Sequence, residues 1–442
     1  MIKTIKNAWK VQELRGKMLY TVLMIVVFRI GSCIPVPFLD TTALSKMMGA
    51  SGLDTGVGAF FKFSDAISGG SFQKATIFAM GVNPYITSSI VMQLITVAIP
   101  ALERLSKEGE EGRKKVAALT RYVTIVLGII QGFGLYWMLK DEVVTIKGGP
   151  IGIFVAVVII ATFTAGTALM MWFGEQINKK GVGNGISILL FAGIVSRMPK
   201  LVQDLVRITR EAIENPESAG AGFVLAPIFV ILFVAIVWGV VFMNDAERKI
   251  PVQYAKRVIG RKMYGGQSTH IPIKVGLTGV MPIIFAGTIL QVPGMIKNLF
   301  FPDLQEGFWA SFFNFFSQQS WWYMLMYFVL ILAFAFFYMS IQYNPIEMSN
   351  NLRQSNGTIP GLRPGKPTSD FLSKILSKIT LTGALFLSVL ALLPMILPKI
   401  NDKFIMFQVQ GTSVIILVGV ALETVKQLES QMMMKHYKGF LD

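Results

Sequence analysis

The chain has 442 residues, of which 53% are hydrophobic and only 15% are charged, and its formal net charge is +16. A soluble protein of this length needs more charged residues to cover its surface, so the composition excludes an ordinary soluble protein and indicates a polytopic membrane protein. The lone Cys33 rules out an internal disulfide and needs no functional interpretation.

Ten apolar stretches are long enough to be membrane spans, because about 20 helical residues cross the roughly 30 Å hydrocarbon core of a bilayer. The first stretch leads into further spans and lacks an A-x-A-like cleavage site, so we interpret it as a retained span rather than a removed signal peptide. The sequence therefore predicts an all-α polytopic membrane protein. Its spans are expected near residues 18–38, 75–99, 119–139, 150–172, 185–206, 223–243, 276–297, 321–343, 376–397 and 412–430.

The distribution of basic residues between these spans predicts the orientation of the chain. With the N-terminus in the cytoplasm, the cytoplasmic segments contain 28 Lys and Arg residues and the outer segments contain 12. Cytoplasmic loops of membrane proteins carry the excess of Lys and Arg. We therefore expect both termini in the cytoplasm, and we interpret the basic net charge first as a consequence of topology.

The second and seventh spans share a local pattern. The second contains GVNPYI from Gly81, the seventh contains GVMPII from Gly279, and a glutamine follows each at the same spacing. Chance similarity between apolar stretches is one explanation, and an internal duplication is the other. Because five spans per half is an odd number, duplicated halves would be inverted relative to each other. We predict two inverted, pseudo-symmetric halves of five transmembrane helices, in residues 1–210 and 211–442.

Polar residues follow the break that Gly81 and Pro84 introduce into the second span. Matched broken helices in the two halves of a membrane protein typically mark its functional interface. The segment ahead of this span, about residues 60–72, is too short and too charged to cross the bilayer. It is either a plain outer loop or a half-helix folded back into a cavity. The polar side chains along the second span are Thr87, Ser88, Ser89, Gln93 and Thr96.

Two basic cytoplasmic loops, about residues 244–275 and 343–375, are far longer than a connection between adjacent spans requires. Excess loop length favours a surface that binds partners. The second loop contains LRPG, a turn sequence in which Pro364 and Gly365 would hold Arg363 at a projecting tip.

Catalytic chemistry is hard to assign to this sequence. His270 and His436 belong to no H-E-x-x-H motif, the chain has no C-x-x-C or G-x-S-x-G motif, and Ser187 has no base within a span to activate it. We therefore expect no enzyme activity, no metal and no cofactor.

A secondary transporter is the main alternative, because such proteins also use broken helices at a repeat interface. Transporters usually carry ionisable groups within the membrane for ion coupling. Arg29, near the outer end of the first span, is the only clearly intramembrane charge in the sequence, and we interpret it as a snorkelling side chain.

Several motifs occur in an order that matches one known family. They are FRIGSCIPVP (28–37), IFAMGVNPYITSSIVMQ (77–93), MWFGEQINKKGVGNGISILLFAGI (171–194), YAKR (254–257) with QSTHIPIKV (267–275), and PGLRPGKPT (360–368). Together they resemble the SecY family of bacterial protein-translocation channels, from the N-terminal segment to the tenth span. The resemblance implies two five-span halves around an hourglass pore, which a plug closes on the outer side. It also implies a lateral gate that opens to lipid between spans two and seven.

The resemblance further implies roles for individual residues. Aligned motif by motif, the family implies a ring of apolar side chains at the constriction of the pore. In this chain the ring would consist of Val82, Ile86, Leu190, Ile284 and Ile416, each of which is otherwise an ordinary aliphatic residue of a membrane helix. Asn83, next to Val82, stands where the family would have an apolar residue. The plug contains Phe61, Phe63, Ile67, Gly69 and Gly70, and the lateral gate contains Thr87, Gln93, Thr288 and Gln291.

Membership of this family would place the chain in the bacterial cytoplasmic membrane, together with the small membrane subunits SecE and SecG. The chain would recognise signal sequences, conduct unfolded preproteins outward and release hydrophobic segments into the lipid bilayer. Driving energy would come from the SecA motor ATPase or from a translating ribosome, whose RNA attracts arginine through phosphate charge. Docking of these cytoplasmic partners is expected at Arg257, Arg261, Lys262 and Arg363.

Overall fold

The computed structural model of the chain is mostly helical. It describes residues 2–44, 65, 68–140, 144–145, 149–214, 222–254, 257–259, 262–264, 268–276, 279–300, 307–317, 320–400 and 405–438. The N-terminal part contains the helices α1 (Ile2–Lys10), α2 (Gln12–Gly31), α3 (Asn83–Ala98), α4 (Pro100–Lys107), α5 (Glu110–Leu139), α6 (Gly149–Lys180) and α7 (Gly185–Glu214). The C-terminal part contains α8 (Gly222–Asp245), α9 (Met281–Phe300), α10 (Phe308–Phe315), α11 (Trp321–Gln342), α12 (Pro345–Gln354), α13 (Lys366–Ile400) and α14 (Ile405–Lys438).

Prolines determine both ends of α3. Pro84 stands in its first turn, where a missing N–H removes no helical hydrogen bond. Ile99, the residue before Pro100, is extended with φ −106° and ψ 110°, which is the conformation that a following proline favours. The chain therefore bends by 103° between α3 and the short helix α4.

The helices of the two parts have matching sets of neighbours. Among the described residues of the N-terminal part, α2 contacts α6 and α7, α3 contacts α5 and α6, and α6 contacts α5 and α7. In the C-terminal part, α8 contacts α13 and α14, α9 contacts α11 and α13, and α13 contacts α11 and α14. The two parts meet where α9 contacts α3 and α5, and again where α7 contacts α8 and α14. The largest apolar core lies between the two parts and contains residues from both.

The two long loops form a small sheet together. Within the described residues, the central strand β1 pairs in antiparallel fashion with both β4 and β5, so it joins the first loop to the second. Side chains from both loops and from α12 and α13 share one core, which includes Ile250, Val252, Leu352 and Leu372. The strands are β1 (Glu247–Tyr254), β2 (Arg257–Ile259), β3 (Lys262–Tyr264), β4 (Ser268–Lys274) and β5 (Gly357–Thr358).

The prediction of an all-α protein omitted this sheet. Its signal is present in the sequence, because Ile250 and Val252 in β1 and Ile271 and Ile273 in β4 alternate with other residues at the period of a strand. Tertiary pairing between loops that are distant in sequence then adds β5, which is too short to be recognised by itself.

Each of the ten predicted spans overlaps one of the helices. Of the described helices, α5, α6, α11 and α13 are long and apolar enough to cross a bilayer, and the bent pair of α3 and α4 passes the same test together. Three predicted spans extend several residues beyond their helices. The first ends at Gly31 rather than near residue 38, and Pro35 and Pro37, which have no N–H to donate, follow it. The second begins at Asn83 rather than near residue 75, and the seventh begins at Met281 rather than near residue 276.

Candidate functional site

The second long helix of each part begins with the same backbone conformation. Gly81 has φ +57° and Gly279 has φ +58°, a left-handed conformation that strains residues with a Cβ. The valines that follow, Val82 and Val280, are both buried, and α3 and α9 begin at the next residue. The repeated G-V-x-P pattern therefore corresponds to a repeated structure, an abrupt helix start with a buried valine.

Four of the predicted ring residues contact one apolar core at these helix starts. Val82 and Ile86 lie one turn apart at the start of α3, Leu190 lies in the second turn of α7, and Ile284 lies in the first turn of α9. Val82, Ile86 and Leu190 are buried, and the half-buried Ile284 packs against the same cluster. These four side chains therefore belong to one apolar core that contains residues of both parts.

The fifth predicted ring residue, Ile416, lies in the fourth turn of α14 and is 4% exposed. It belongs to a smaller cluster with Ile194 and Val420, against which Ile284 also packs. Because Ile284 contacts both clusters, the five predicted residues form one continuous apolar region. Its side chains come from α3, α7, α9 and α14.

Asn83 lies beside this region rather than within it. Residues four apart share a face of a helix, so Val82 shares a face with Ile86, whereas Asn83 shares the neighbouring face with Thr87. The backbone carbonyl oxygen of Asn83 accepts a hydrogen bond from Thr87 Oγ1 at 3.0 Å. The face with Val82 and Ile86 therefore stays apolar despite the amide next to it.

Each of the two helices α3 and α9 is hydrogen-bonded to its own part of the chain. The buried Ser88 of α3 donates to the carbonyl oxygen of Thr120 in α5 at 2.8 Å. Tyr327 of α11 donates to the carbonyl oxygen of Ile283 in α9 at 3.4 Å. Since α3 and α9 also contact each other, they form a seam between two separately braced helices.

The hydroxyl groups of the predicted gate are satisfied within their own helices. Thr87 Oγ1 and Thr288 Oγ1 each donate to a backbone oxygen one turn earlier, at 3.0 Å and 2.8 Å. Gln93 Nε2 donates to Ser89 Oγ at 3.3 Å, and the buried Gln93 Oε1 has no hydrogen-bond partner among the described residues. The side chain of Gln291 lies outside the described part of α9. A seam arranged in this way can part without losing these threonine hydrogen bonds.

The predicted plug is described only in part. Gly69 and Gly70 lie in a turn, with φ +71° and +85°, that packs against α7. Asp65 is buried and pairs with Arg197 of α7. The other predicted plug residues, Phe61, Phe63 and Ile67, lie outside the described residues.

Arg29 does not snorkel, so that interpretation was wrong. Its Nη2 donates to the carbonyl oxygen of Ala192 at 2.6 Å and to that of Gly193 at 3.3 Å, and its guanidinium lies 5.1 Å from the centre of the Phe28 ring. Carbonyl oxygens of a neighbouring helix are a typical partner for a charge at membrane depth. Arg29 therefore ties α2 to α7, two residues after the predicted ring residue Leu190.

Arg363 is the fully described member of the predicted docking set. It is exposed in the turn between β5 and α13, and its backbone oxygen accepts a hydrogen bond from Thr368 Oγ1 at 2.8 Å. The turn holds the Arg363 side chain in solvent, outside the apolar core that the two loops share. Arg257 and Lys262 lie on β2 and β3 with side chains outside the described part, and Arg261 lies outside the described residues altogether.

The sequence interpretation missed a polar face of α7 that contacts Gly69 and Gln73, in and just after the predicted plug segment. Gly193, Ser196, Arg197 and Lys200 recur at positions i, i+3, i+4 and i+7, the spacing of one helix face. This periodicity directly follows the apolar start of α7. Its partners could not be found from sequence, because they lie more than 100 residues earlier in the chain.

Comparisons with known proteins identify the family of the chain. The family model described as SecY matches residues 76–425. The protein translocase subunits SecY of Halalkalibacterium halodurans and Bacillus subtilis are 42% and 41% identical to the chain, and each alignment covers 100% of both proteins.

Two solved structures share the fold. The structure of a protein-conducting channel has a TM-score of 0.63 at 18% identity and covers 95% of this chain and 92% of that one. Sec61 in the canine ribosome-channel complex has a TM-score of 0.59 at 16% identity, with coverage of 95% and 92%. From the full-length identity to curated relatives and the matching family model, the chain belongs to the SecY family of protein-translocase channel subunits.

Proposed function

We propose that the apolar region around Val82, Ile86, Leu190, Ile284 and Ile416 is the constriction of the pore through which this chain conducts unfolded secretory polypeptides. The observation that carries the proposal is the meeting of side chains from α3, α7, α9 and α14 in one continuous apolar region at the boundary between the two parts. The curated relatives are named protein translocase subunits, and a solved structure with the same fold is a protein-conducting channel, which supports this use of the site.

A short apolar collar can seal a pore and still pass a chain. Aliphatic walls expel water from a narrow constriction. This raises the energy barrier for the passage of ions, although no charged group obstructs the pore. The same side chains can separate and close around a polypeptide, because dispersion contacts are non-directional. Ile284 is the half-buried member that packs against both clusters, so its movement would couple the two sides of the collar.

The seam between α3 and α9 is the proposed lateral gate, with Thr87, Gln93, Thr288 and Gln291 along it. Ser88 braces α3 to α5, and Tyr327 of α11 braces α9. Each helix can therefore move with its own half when a hydrophobic segment leaves for the lipid. The plug, residues 60–72 with Phe61, Phe63, Ile67, Gly69 and Gly70, would seal the pore beside α7.

The architecture that we propose has ten transmembrane helices in two inverted halves, residues 1–210 and 211–442. Two observations support it: the helices of the two parts have the same sets of neighbours, and Gly81 and Gly279 share one conformation at corresponding positions. The excess of Lys and Arg on one side of the predicted spans supports a cytoplasmic location for both termini in a bacterial inner membrane.

The partners that we propose are SecE and SecG in the membrane, and SecA or the ribosome at the cytoplasmic surface. A solved relative is described in a ribosome-channel complex, which supports the ribosome as one partner. The two long loops, which form the small sheet, offer the contact surface. The cations that would bind RNA phosphate or acidic protein groups there are Arg257, Arg261, Lys262 and Arg363.

The test is reconstitution of the chain with SecE and SecG in proteoliposomes. An unfolded preprotein should stimulate the ATPase activity of added SecA and become protected from external protease. Stimulation of the SecA ATPase without protease protection of the preprotein would contradict the proposal that this protein conducts polypeptides. Uptake of a small solute without any polypeptide would instead support a secondary transporter.

A further inference from the structure

Helix α7 presents one polar face to the plug segment. The single hydroxyl proton of Ser196 lies within donating distance of two carbonyl oxygens, that of Gly193 at 2.7 Å and that of Gly69 at 3.3 Å from Oγ. Four residues further along the same face, Lys200 Nζ donates to Gln73 Oε1 at 3.3 Å. A Cβ on Gly69 would lie only 2.6 Å from the Gly193 oxygen, so the turn approaches the helix backbone closely.

A charge pair completes this contact. Asp65 Oδ2 lies 3.2 Å from Arg197 Nη2, and the two side chains are 4% and 22% exposed. The other carboxylate oxygen of Asp65 accepts from the backbone N–H of Gln73 at 2.9 Å, which closes the plug segment on itself. Arg197 Nη1 is buried and has no hydrogen-bond partner among the described residues, so Asp65 supplies the charge compensation of this guanidinium.

We infer that Asp65 and Arg197 form an electrostatic latch that positions the plug against α7 in the resting channel. The inference rests on the proposed assignment of residues 60–72 to the plug. A carboxylate or a guanidinium taken out of water is costly when its partner is missing and acceptable when the pair is intact. Asp65 and Arg197 are therefore positioning residues, which stabilise the closed state and do not contact the translocating chain.

The latch explains how a buried ion pair is compatible with opening. When a polypeptide displaces the plug, both charged groups separate into an aqueous space, and neither remains buried and unpaired. Neutralisation of one partner makes the seated plug less stable, because the remaining charge is then buried without a partner. That charge is hydrated again when the plug is displaced. Each single neutralisation should therefore favour the displaced plug, whereas neutralisation of both residues should partly restore the seated plug.

The experiment measures resting ion conductance of the complex with SecE and SecG in planar bilayers. Asp65→Asn and Arg197→Gln should each raise the conductance about tenfold over wild type. The double variant with both changes should leak less than either single variant, and the charge exchange Asp65→Arg with Arg197→Asp should leak less than either of its components. Arg210→Gln, an exposed arginine on the same helix, is the matched control and should conduct like wild type.

A second measurement reports the plug itself. In a Cys33→Ser background, Ser71→Cys replaces a residue that is 1% exposed, and a membrane-impermeant maleimide should label it faster in both single variants. Wild-type conductance and labelling in both single variants would overturn the latch, as would single effects that simply add in the double variant. Failure of the wild-type complex to export a preprotein would instead contradict the proposed function, so the two failures are distinguishable.

Discussion

Replacement of Ile86 by Asn is the most direct test of the apolar ring. Ile86 is 7% exposed and packs in the core that contains Val82 and Leu190, one turn from the start of α3. Burial of an isoleucine side chain stabilises the closed state by about 1.5–3 kcal/mol. An amide buried there without a partner adds a cost of about 1–3 kcal/mol. Because the amide would be hydrated in an open pore, we expect the equilibrium to shift toward the open state by about 3 kcal/mol, roughly a hundredfold.

The expected phenotype is an ion leak through the resting channel, together with export of preproteins whose signal sequences are defective. Planar-bilayer conductance measures the first, and protease protection in proteoliposomes measures the second. Ile86→Leu conserves volume and should change the conductance little. Leu372→Asn, a fully buried site in the separate core shared by the two long loops, should lower stability without a leak. Unchanged conductance in both Ile86→Asn and Ile284→Asn would refute the assignment of the ring.

Three further predictions concern the docking surface, the gate and its brace. Arg363→Glu should weaken binding to SecA or ribosomes more than Arg363→Ala does and leave resting conductance unchanged, because the residue lies in an exposed turn; wild-type affinity for both partners would remove its docking role. In a chain without Cys33, cysteines at Thr87 and Thr288 should form a disulfide under oxidation and block export until reduced; normal export by the oxidised channel would show that the seam lies elsewhere. Ser88→Ala removes the buried hydrogen bond to α5 and should lower the free energy of unfolding by about 1 kcal/mol in thermal denaturation of the purified complex; unchanged stability would mean that this bond does not brace α3.

Much of the fold follows from local patterns. Apolar stretches of membrane length predict the helices, since backbone polar groups in lipid must be satisfied within each helix. The Gly81 and Gly279 patterns predict the matched helix starts, because glycine adopts positive φ without strain. Pro100 predicts the end of α3 in the same way. The sheet was missed although β1 and β4 alternate at the period of a strand; only β5, which pairs with β1 from a distant loop, has no local signal.

The features of the candidate site likewise separate into those that local sequence predicts and those that depend on tertiary contacts. By itself, the sequence determined which stretches are helical, the break near Gly81, the polar stripe of α3 and the family to which the motifs belong, because each of these depends on neighbours within a few residues. Only the tertiary structure decided that Ile284 packs against both apolar clusters, that Arg29 binds carbonyl oxygens of α7, and that Asp65 meets Arg197. These are contacts between segments far apart in the chain, and a charge or an aliphatic side chain carries no local signal of the partner that will compensate or cover it.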